Sequence, residues 1–181
     1  IKEYHFEITT YREEIKYKNR KPSEFNYINN LVLDLKRRDF TINTICMNSK
    51  GEIIDLLNGT KDLINYKIKM VGDIDKKLVE DPLRILRAVR IATILNFNIE
   101  SNLYKALKKY NKKILTLSNT RIKEELDKIL LSNNVRKGFK LLEELDILKI
   151  LEISYEDITP VKNIEAMYAQ IDIKYKLAFT K

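Results

Sequence analysis

The stretch Glu80-Asp81-Pro82-Leu83-Arg84-Ile85-Leu86-Arg87-Ala88-Val89-Arg90 organises the reading of this chain. Pro82 suits the first turn of a helix, where its missing N–H costs no hydrogen bond, and Asp81 before it is a favourable N-cap. Leu83, Leu86 and Ile94 then fall along one side of the helix, while Arg84, Arg87 and Arg90 recur every three residues as a basic stripe. Glu80 and Asp81 therefore stand at the helix mouth, with Arg84 one turn further in. A carboxylate accepts from the exocyclic amine of adenine or cytosine, and a guanidinium donates to the unprotonated ring nitrogen beside it. Guanine and uracil present the reverse pattern at both places. The competing reading of the same spacing is a capped surface helix whose charges pair between turns.

On the N-terminal side of this stretch, residues 68–71 read as a short strand, and Gly72-Asp73 as a turn into residues 75–79. Asn58-Gly59-Thr60 starts a helix through Leu63. Residues 45–47 and 52–56 read as strands joined at Ser49-Lys50-Gly51. Residues 31–36 are helical, and residues 37–43 continue helically with Phe40 turned inward. Residues 12–30 are polar and basic, punctuated by Asn19-Arg20-Lys21-Pro22. They read as a loop long enough to be functional or mobile. Residues 4–11 alternate as a strand with Tyr4, Phe6 and Ile8 on one face and His5, Glu7 and Thr9 on the other.

On the C-terminal side the periodicity turns helical over residues 82–95, 101–110, 120–131 and 135–145. Ser118 or Asn119 caps the third of these, Asn133 or Asn134 the fourth, and Asn96 and residues 111–113 are breaks. The tail from Glu152 is expected to join a further helical layer. Mixed strands and helices followed by helices alone imply two structural parts, with a boundary near residues 79–81.

With 44% hydrophobic residues, 181 residues can bury one large core or two small ones. No apolar run approaches the ~20 residues of a membrane span, so no membrane partner is expected. Because the chain starts at Ile1 in strand-like sequence, it is expected to begin inside a domain. Cys46 is the only cysteine, which excludes an internal disulfide or a cysteine-based zinc site and suits a reducing, cytoplasmic setting. A net charge of +8 favours a polyanionic partner, although a bias toward lysine, isoleucine and asparagine produces the same charge without RNA.

A second chemical cluster is Arg37-Arg38-Asp39. Adjacent arginines hold phosphate oxygens, and the aspartate can accept from a ribose hydroxyl; the alternative is a charged helix start in which Asp39 balances the arginines. Asn43, four residues on, would share a helical face with Asp39. His5-Phe6-Glu7 resembles half of a zinc deaminase motif but lacks the cysteine pair, and the four glycines form no phosphate-binding loop.

In this order the motifs resemble those of the class II tRNA nucleotidyltransferase and poly(A) polymerase family. The family's Glu-x-Thr-Thr-x-Arg element is similar to Glu7-Ile8-Thr9-Thr10-Tyr11-Arg12, and its Arg-Arg-Pro to Arg20-Lys21-Pro22. Its Asp-Leu-x-Arg-Arg-Asp-Phe-Thr-Ile-Asn signature stands complete at residues 34–43. Gly51-Glu52-Ile53-Ile54-Asp55, Val71-Gly72-Asp73, Glu80-Asp81-x-x-Arg84 and Ser118-x-x-Arg121-Ile122 follow.

The resemblance implies an α+β fold: the C-terminal part of a polymerase-β-like nucleotidyltransferase head with a mixed sheet over residues 1–79, then an all-helical neck over 80–151. Residues 152–181 would start a helical body or tail. It implies template-independent addition of C and A to tRNA 3′ ends from CTP and ATP, with pyrophosphate released. The alternatives are a poly(A) polymerase or a non-catalytic RNA- or nucleotide-binding module. Glu80, Asp81 and Arg84 would select the base. Arg38 and Asp39 would hold phosphate and sugar with Asn43 beside them, and Arg87 would assist. Arg12 and Arg20 would belong to a mobile loop, Arg121 to RNA contact, and Glu7 would be an additional catalytic carboxylate. Magnesium is implied, with its Asp-x-Asp ligands expected upstream of this chain. Asp73-Ile74-Asp75 has that spacing, but its place after Val71-Gly72 marks it as the turn before the recognition helix.

Overall fold

Side-chain caps set the starts of several helices in the structure, a computed structural model that describes residues 8–18 and 21–173, although the expected capping positions Ser118 and Asn134 make no side-chain cap hydrogen bond. Glu7 and Arg20 lie outside the described residues, as does most of the strand expected over 4–11; residues 8–11 are in no strand.

Strands β1 (Arg12–Lys18) and β2 (Lys21–Tyr27) pair antiparallel, with Arg12 opposite Tyr27 and a register shift between Glu14 and Lys16. The expected loop over residues 12–30 is thus largely a hairpin. Ile15 and Tyr17, and Phe25 and Tyr27, are spaced two apart among charged neighbours, an alternation that the charges obscured.

Helix α1 (Leu31–Arg37) is capped by the Asn30 side chain, which accepts from the Leu33 N–H. The expected helical continuation to Asn43 does not form. Phe40 is extended at φ −123°, ψ 147°, wholly buried and bridged to Met70, and only Thr41–Thr44 turns again as a 3₁₀ helix. Asp39 and Asn43 therefore share no helical face. The cause is tertiary: the Thr41 N–H donates to the Lys69 carbonyl and the Val71 N–H to the Asp39 carbonyl, pairing the two segments edge to edge.

Strands β3 (Cys46–Met47) and β4 (Ile53–Ile54) form the expected hairpin. Gly51, at φ +83°, supplies the left-handed position of its turn. Helix α2 (Gly59–Ile64) is capped from upstream by Asp55, whose carboxylate accepts from the N–H groups of Gly59 and Thr60. Strand β5 (Lys67–Ile68) leads to α3 (Ile74–Glu80), which Asp73 caps, and then to α4 (Leu83–Ile94). Strand β6 (Asn98–Ile99) lies parallel to β5 and precedes α5 (Ser101–Tyr110). After a 3₁₀ segment come α6 (Asn119–Leu130), α7 (Val135–Glu144) and α8 (Ile147–Ile150).

The tail departs from the helical expectation. Strand β7 (Ile153–Tyr155) pairs antiparallel with β8 (Ile171–Ile173), and only α9 (Ile164–Tyr168) between them is helical. Ile-Ser-Tyr and Ile-Asp-Ile alternate with period two, and they find each other across the α9 excursion. Among the described residues the strands pair two by two, three pairs antiparallel and one parallel.

Helix α4 is the axis of the core. Leu83, Ile85, Leu86, Ala88, Val89, Ile91 and Ala92 are buried around most of its circumference, packed by α3, α6 and α7, while the side bearing Arg87, Arg90 and Ile94 is part-exposed. Ile94, expected on the apolar side with Leu83 and Leu86, is 45% exposed, because it falls on the one open side of α4 beside Arg87 and Arg90. No described helix is long and apolar enough to cross a membrane.

Gly138 lets α7 pack closely against Ile129 of α6 and Thr93 of α4. A Cβ there would lie 2.7 Å from Ile129 Cγ2 and 2.8 Å from Thr93 Oγ1. On an exposed helix Gly→Ala stabilises by about 1 kcal/mol. Here Gly138→Ala is expected to destabilise by about 1–3 kcal/mol through overpacking. Thermal unfolding checks this, and a raised melting temperature would contradict the packing.

Candidate functional site

The turn between α3 and α4 is built by Asp81 and Pro82. Asp81 is extended and its Oδ1 accepts from the Leu83 N–H at 3.2 Å, while Pro82 already has helical φ and ψ. The expected cap is therefore present. Glu80 closes α3 and faces Lys76 at 3.9 Å, so the two carboxylates straddle the turn rather than sharing one helix mouth.

Only the first arginine of the basic stripe is buried; Arg87 and Arg90 are part-exposed. Arg84 is 5% exposed; its Nε donates to Asp39 Oδ1 at 2.8 Å and its Nη1 to the Lys77 carbonyl at 2.8 Å. Arg87 Nη1 lies 2.8 Å from Asp39 Oδ2. Arg90 Nε lies 2.6 Å from Glu125 Oε2 on α6. A helix packed on most sides can keep arginines only where carboxylates from other elements meet them, because an unpaired buried charge costs several kcal/mol. The pairs therefore run between elements, not between turns of one helix.

Behind Asp39 lies a second buried carboxylate. Asp34, 2% exposed, accepts from Arg37 Nε at 2.8 Å and the Arg12 N–H at 3.2 Å, and Arg38 Nη2 stands at 3.4 Å. Arg38 also donates to the Asn43 carbonyl at 2.8 Å, so Asn43 meets Arg38 through its backbone while its side chain is on the surface. Burial pushes the Asp34 carboxyl up, but hydrogen bonds from Arg37 and Arg12, with the charges of Arg37 and Arg38, outweigh it and hold the group below the ordinary range. Lys77 Nζ reaches the carbonyls of Lys36 and Arg38 at the end of α1.

A cleft of about 490 Å³ opens beside these groups, within the usual range for a small-molecule site. Leu33, Leu57 and Val71 give it an apolar surface, and Lys36, Arg37, Lys76, Lys77, Glu80 and Arg84 give it charge. Arg84 thus belongs both to the buried ion-pair cluster and to the cleft. Arg121, in the first turn of α6, makes no hydrogen bond or ion pair with Asp39, Arg84 or Arg87 among the described residues. No group of three or more His, Cys, Asp or Glu side chains among the described residues could hold a metal ion. Asp73 is spent on capping α3, and Asp75 pairs with Lys109 at 2.9 Å; hydrogen bonds from Lys109 and Tyr110 hold its carboxyl low.

Sequence reasoning missed Asp34, Lys77 and Glu125 as organisers of the site. Asp34 had a usable signal, since Arg37 and Arg38 follow it at helical i+3 and i+4 spacing. The contacts of the Lys77 ammonium with the Lys36 and Arg38 carbonyls, and of Glu125 with Arg90, had none, because those partners lie 35 or more residues away.

Residues 1–69 match the family model described as the poly A polymerase head domain, and residues 96–155 the one described as the probable RNA and SrmB-binding site of polymerase A. The CCA-adding enzyme of Lactobacillus helveticus (strain DPC 4571) is 37% identical over 167 residues, covering 92% of this chain and 41% of the relative. The Bacillus stearothermophilus CCA-adding enzyme in complex with CTP superposes with a TM-score of 0.69 at 31% identity, over 77% of this chain and 33% of that one. The Thermotoga maritima CCA-adding enzyme complexed with tRNA-CCA gives 0.62 at 32% identity, over 70% and 32%. The architecture is that of a nucleotidyltransferase head followed by a helical body. The chain belongs to the tRNA nucleotidyltransferase and poly(A) polymerase family. It spans 41% of the length of the Lactobacillus relative.

The lowered Asp34 value fixes a pH dependence. A carboxyl whose pKa is lower in the folded state stabilises above its unfolded pKa, and that contribution disappears as pH falls through the folded value. Asp34→Asn is expected to be less stable than wild type at neutral pH. The two urea-denaturation curves should converge in the acid range below about pH 4. A constant difference across that range would contradict the assignment.

Proposed function

We propose that the protein containing this chain adds C and A to tRNA 3′ ends from CTP and ATP without a nucleic-acid template. The RNA 3′-hydroxyl oxygen attacks the α-phosphorus, the bond to the β,γ-diphosphate breaks, and pyrophosphate leaves. The observation that carries this reading is Arg84, locked by Asp39 and the Lys77 carbonyl while bordering the cleft with Glu80. A guanidinium fixed in this way is a preorganised donor for the ring nitrogen of cytosine or adenine. Glu80, or Asp81 through Oδ2, accepts from the exocyclic amine. Arg38, with Arg87 assisting, neutralises phosphate charge, and Asp39 accepts from the sugar while clamping the two arginines of α4.

Other parts of the reading rest on the relatives. A CCA-adding enzyme solved with CTP and another solved with tRNA support nucleotide and tRNA as ligands. In this reading residues 1–79 form the head portion, 80–151 the neck and 152–181 the start of the body or tail. Arg121 contacts RNA on the neck, and Arg12 anchors the hairpin over residues 12–27 as it moves between C and A addition. The protein works in the cytoplasm. Magnesium is the metal expected of this chemistry, but the described residues hold no cluster that fits it. The part assigned to them is base selection and nucleotide positioning.

Incubation of the longest natural form with tRNA lacking CCA, magnesium and each nucleotide, singly and combined, tests the proposal. Two C residues and one A, with GTP and UTP refused, are expected. A long A tail would move the activity to poly(A) synthesis, and nucleotide binding without incorporation would make the chain a recognition module. Arg84→Ala should weaken use of CTP and ATP by about 1–3 kcal/mol. Equal use of all four nucleotides by the wild type would refute base selection by Arg84.

A further inference from the structure

Lys77 joins the two halves of the proposed nucleotide site. Its Nζ donates to the carbonyl of Lys36 at 2.9 Å and to that of Arg38 at 2.5 Å. These oxygens lie at the C-terminal end of α1, where a helix leaves carbonyls without intrahelical partners. The carbonyl of Lys77 itself accepts from Arg84 Nη1 at 2.8 Å. Arg84 Nε reaches Asp39 Oδ1, and the Arg38 carbonyl belongs to the peptide that joins Arg38 to Asp39. The contacts therefore close a ring: Arg38–Asp39 peptide, Lys77 ammonium, Lys77 carbonyl, Arg84 guanidinium, Asp39 carboxylate.

The ring has a mechanical consequence. Any rotation of the Arg38–Asp39 peptide swings both the Arg38 side chain and the carboxylate that holds Arg84. The Lys77 ammonium restrains that rotation from the α3 side. Other contacts keep α3 in place: Asp73 caps its start, and Leu78 is wholly buried. Lys77 itself is only half-buried and borders the cleft, so removing its ammonium leaves the core intact.

We propose that Lys77 is a positioning residue that couples base selection by Arg84 to phosphate and sugar binding by Arg38 and Asp39. This rests on the nucleotide-transfer reading above for its kinetic form, but not for its structural form.

The test compares Lys77→Met and Lys77→Arg with wild type in the full-length protein. Hydrogen bonds from a charged donor are strong enough for their loss to raise the KM for CTP and ATP about tenfold. The preference for CTP over UTP should fall by a similar factor, with kcat and the thermal midpoint nearly unchanged. Lys77→Arg, which keeps charged donors at similar reach, should recover most of both losses. A second readout needs no turnover: the Arg84 Nε–H, observed by ¹⁵N NMR, should exchange with solvent about tenfold faster in Lys77→Met. Unchanged KM and selectivity overturn the proposal, as does an equal loss for all nucleotides with a lowered midpoint. If the wild type adds no nucleotide to RNA, the transfer reading fails, and the Arg84 exchange rate alone then upholds or overturns the coupling.

Discussion

One carboxylate, Asp39, receives two guanidinium groups from α4, and much of the architecture follows from that requirement. Arg84 is nearly fully buried, and a charge so placed must meet an opposite charge or unfold its surroundings. Its partner lies 45 residues earlier in the chain, so the segment after α1 has to be docked against α4 before the site exists. The edge-to-edge pairing of Asp39–Thr41 with Lys69–Val71 and the wholly buried Phe40 ring provide that docking. At the other end of the same arginine row, Arg90 meets Glu125, tying α4 to α6. The row is thus clamped at both ends, by the segment after α1 and by α6, and α4 runs between the two clamps.

Under the proposed function this arrangement bears on recognition as well as stability. A guanidinium free to rotate would lose side-chain entropy on meeting a base, whereas one already fixed by a carboxylate and a carbonyl loses little. Fixed donors also discriminate better, since they cannot swing to suit a wrong hydrogen-bonding pattern. The same carboxylate that neutralises Arg84 thereby sets its direction. Arg37 and Arg38 are treated in the same way by Asp34, so basic groups on both sides of the cleft are oriented from behind by buried acids.

Local signals in the sequence were legible. The Asp81-Pro82 start of α4 follows from its cap, the helices α5 to α7 from periodicity and the hairpin at Gly51 from its turn residues, and the structure has them within a residue or two. Long-range facts were not legible. Phe40 leaves the helical pattern because Met70 pairs with it, and the three arginines are paired by Asp39 and Glu125, which arrive from elsewhere in the chain. The β1–β2 hairpin hid behind its charges, and the β7–β8 pair was too short and too far apart to register as a sheet. The residues singled out for base and phosphate chemistry were nonetheless drawn together in part. Asp39, Arg84 and Arg87 form one cluster, Arg38 sits on the loop leading into it, and Glu80 shares the cleft with Arg84.

The central claim is that Asp39 and Arg84 act as one buried unit. A double-mutant cycle on unfolding free energy, using Asp39→Asn, Arg84→Gln and the pair, measures it directly. The account predicts a coupling energy above about 1.5 kcal/mol, within the range found for residues sharing one buried network. Additivity to within about 0.5 kcal/mol would contradict it, and would return Arg84 to the status of a buried side chain held by its surroundings rather than by its charge.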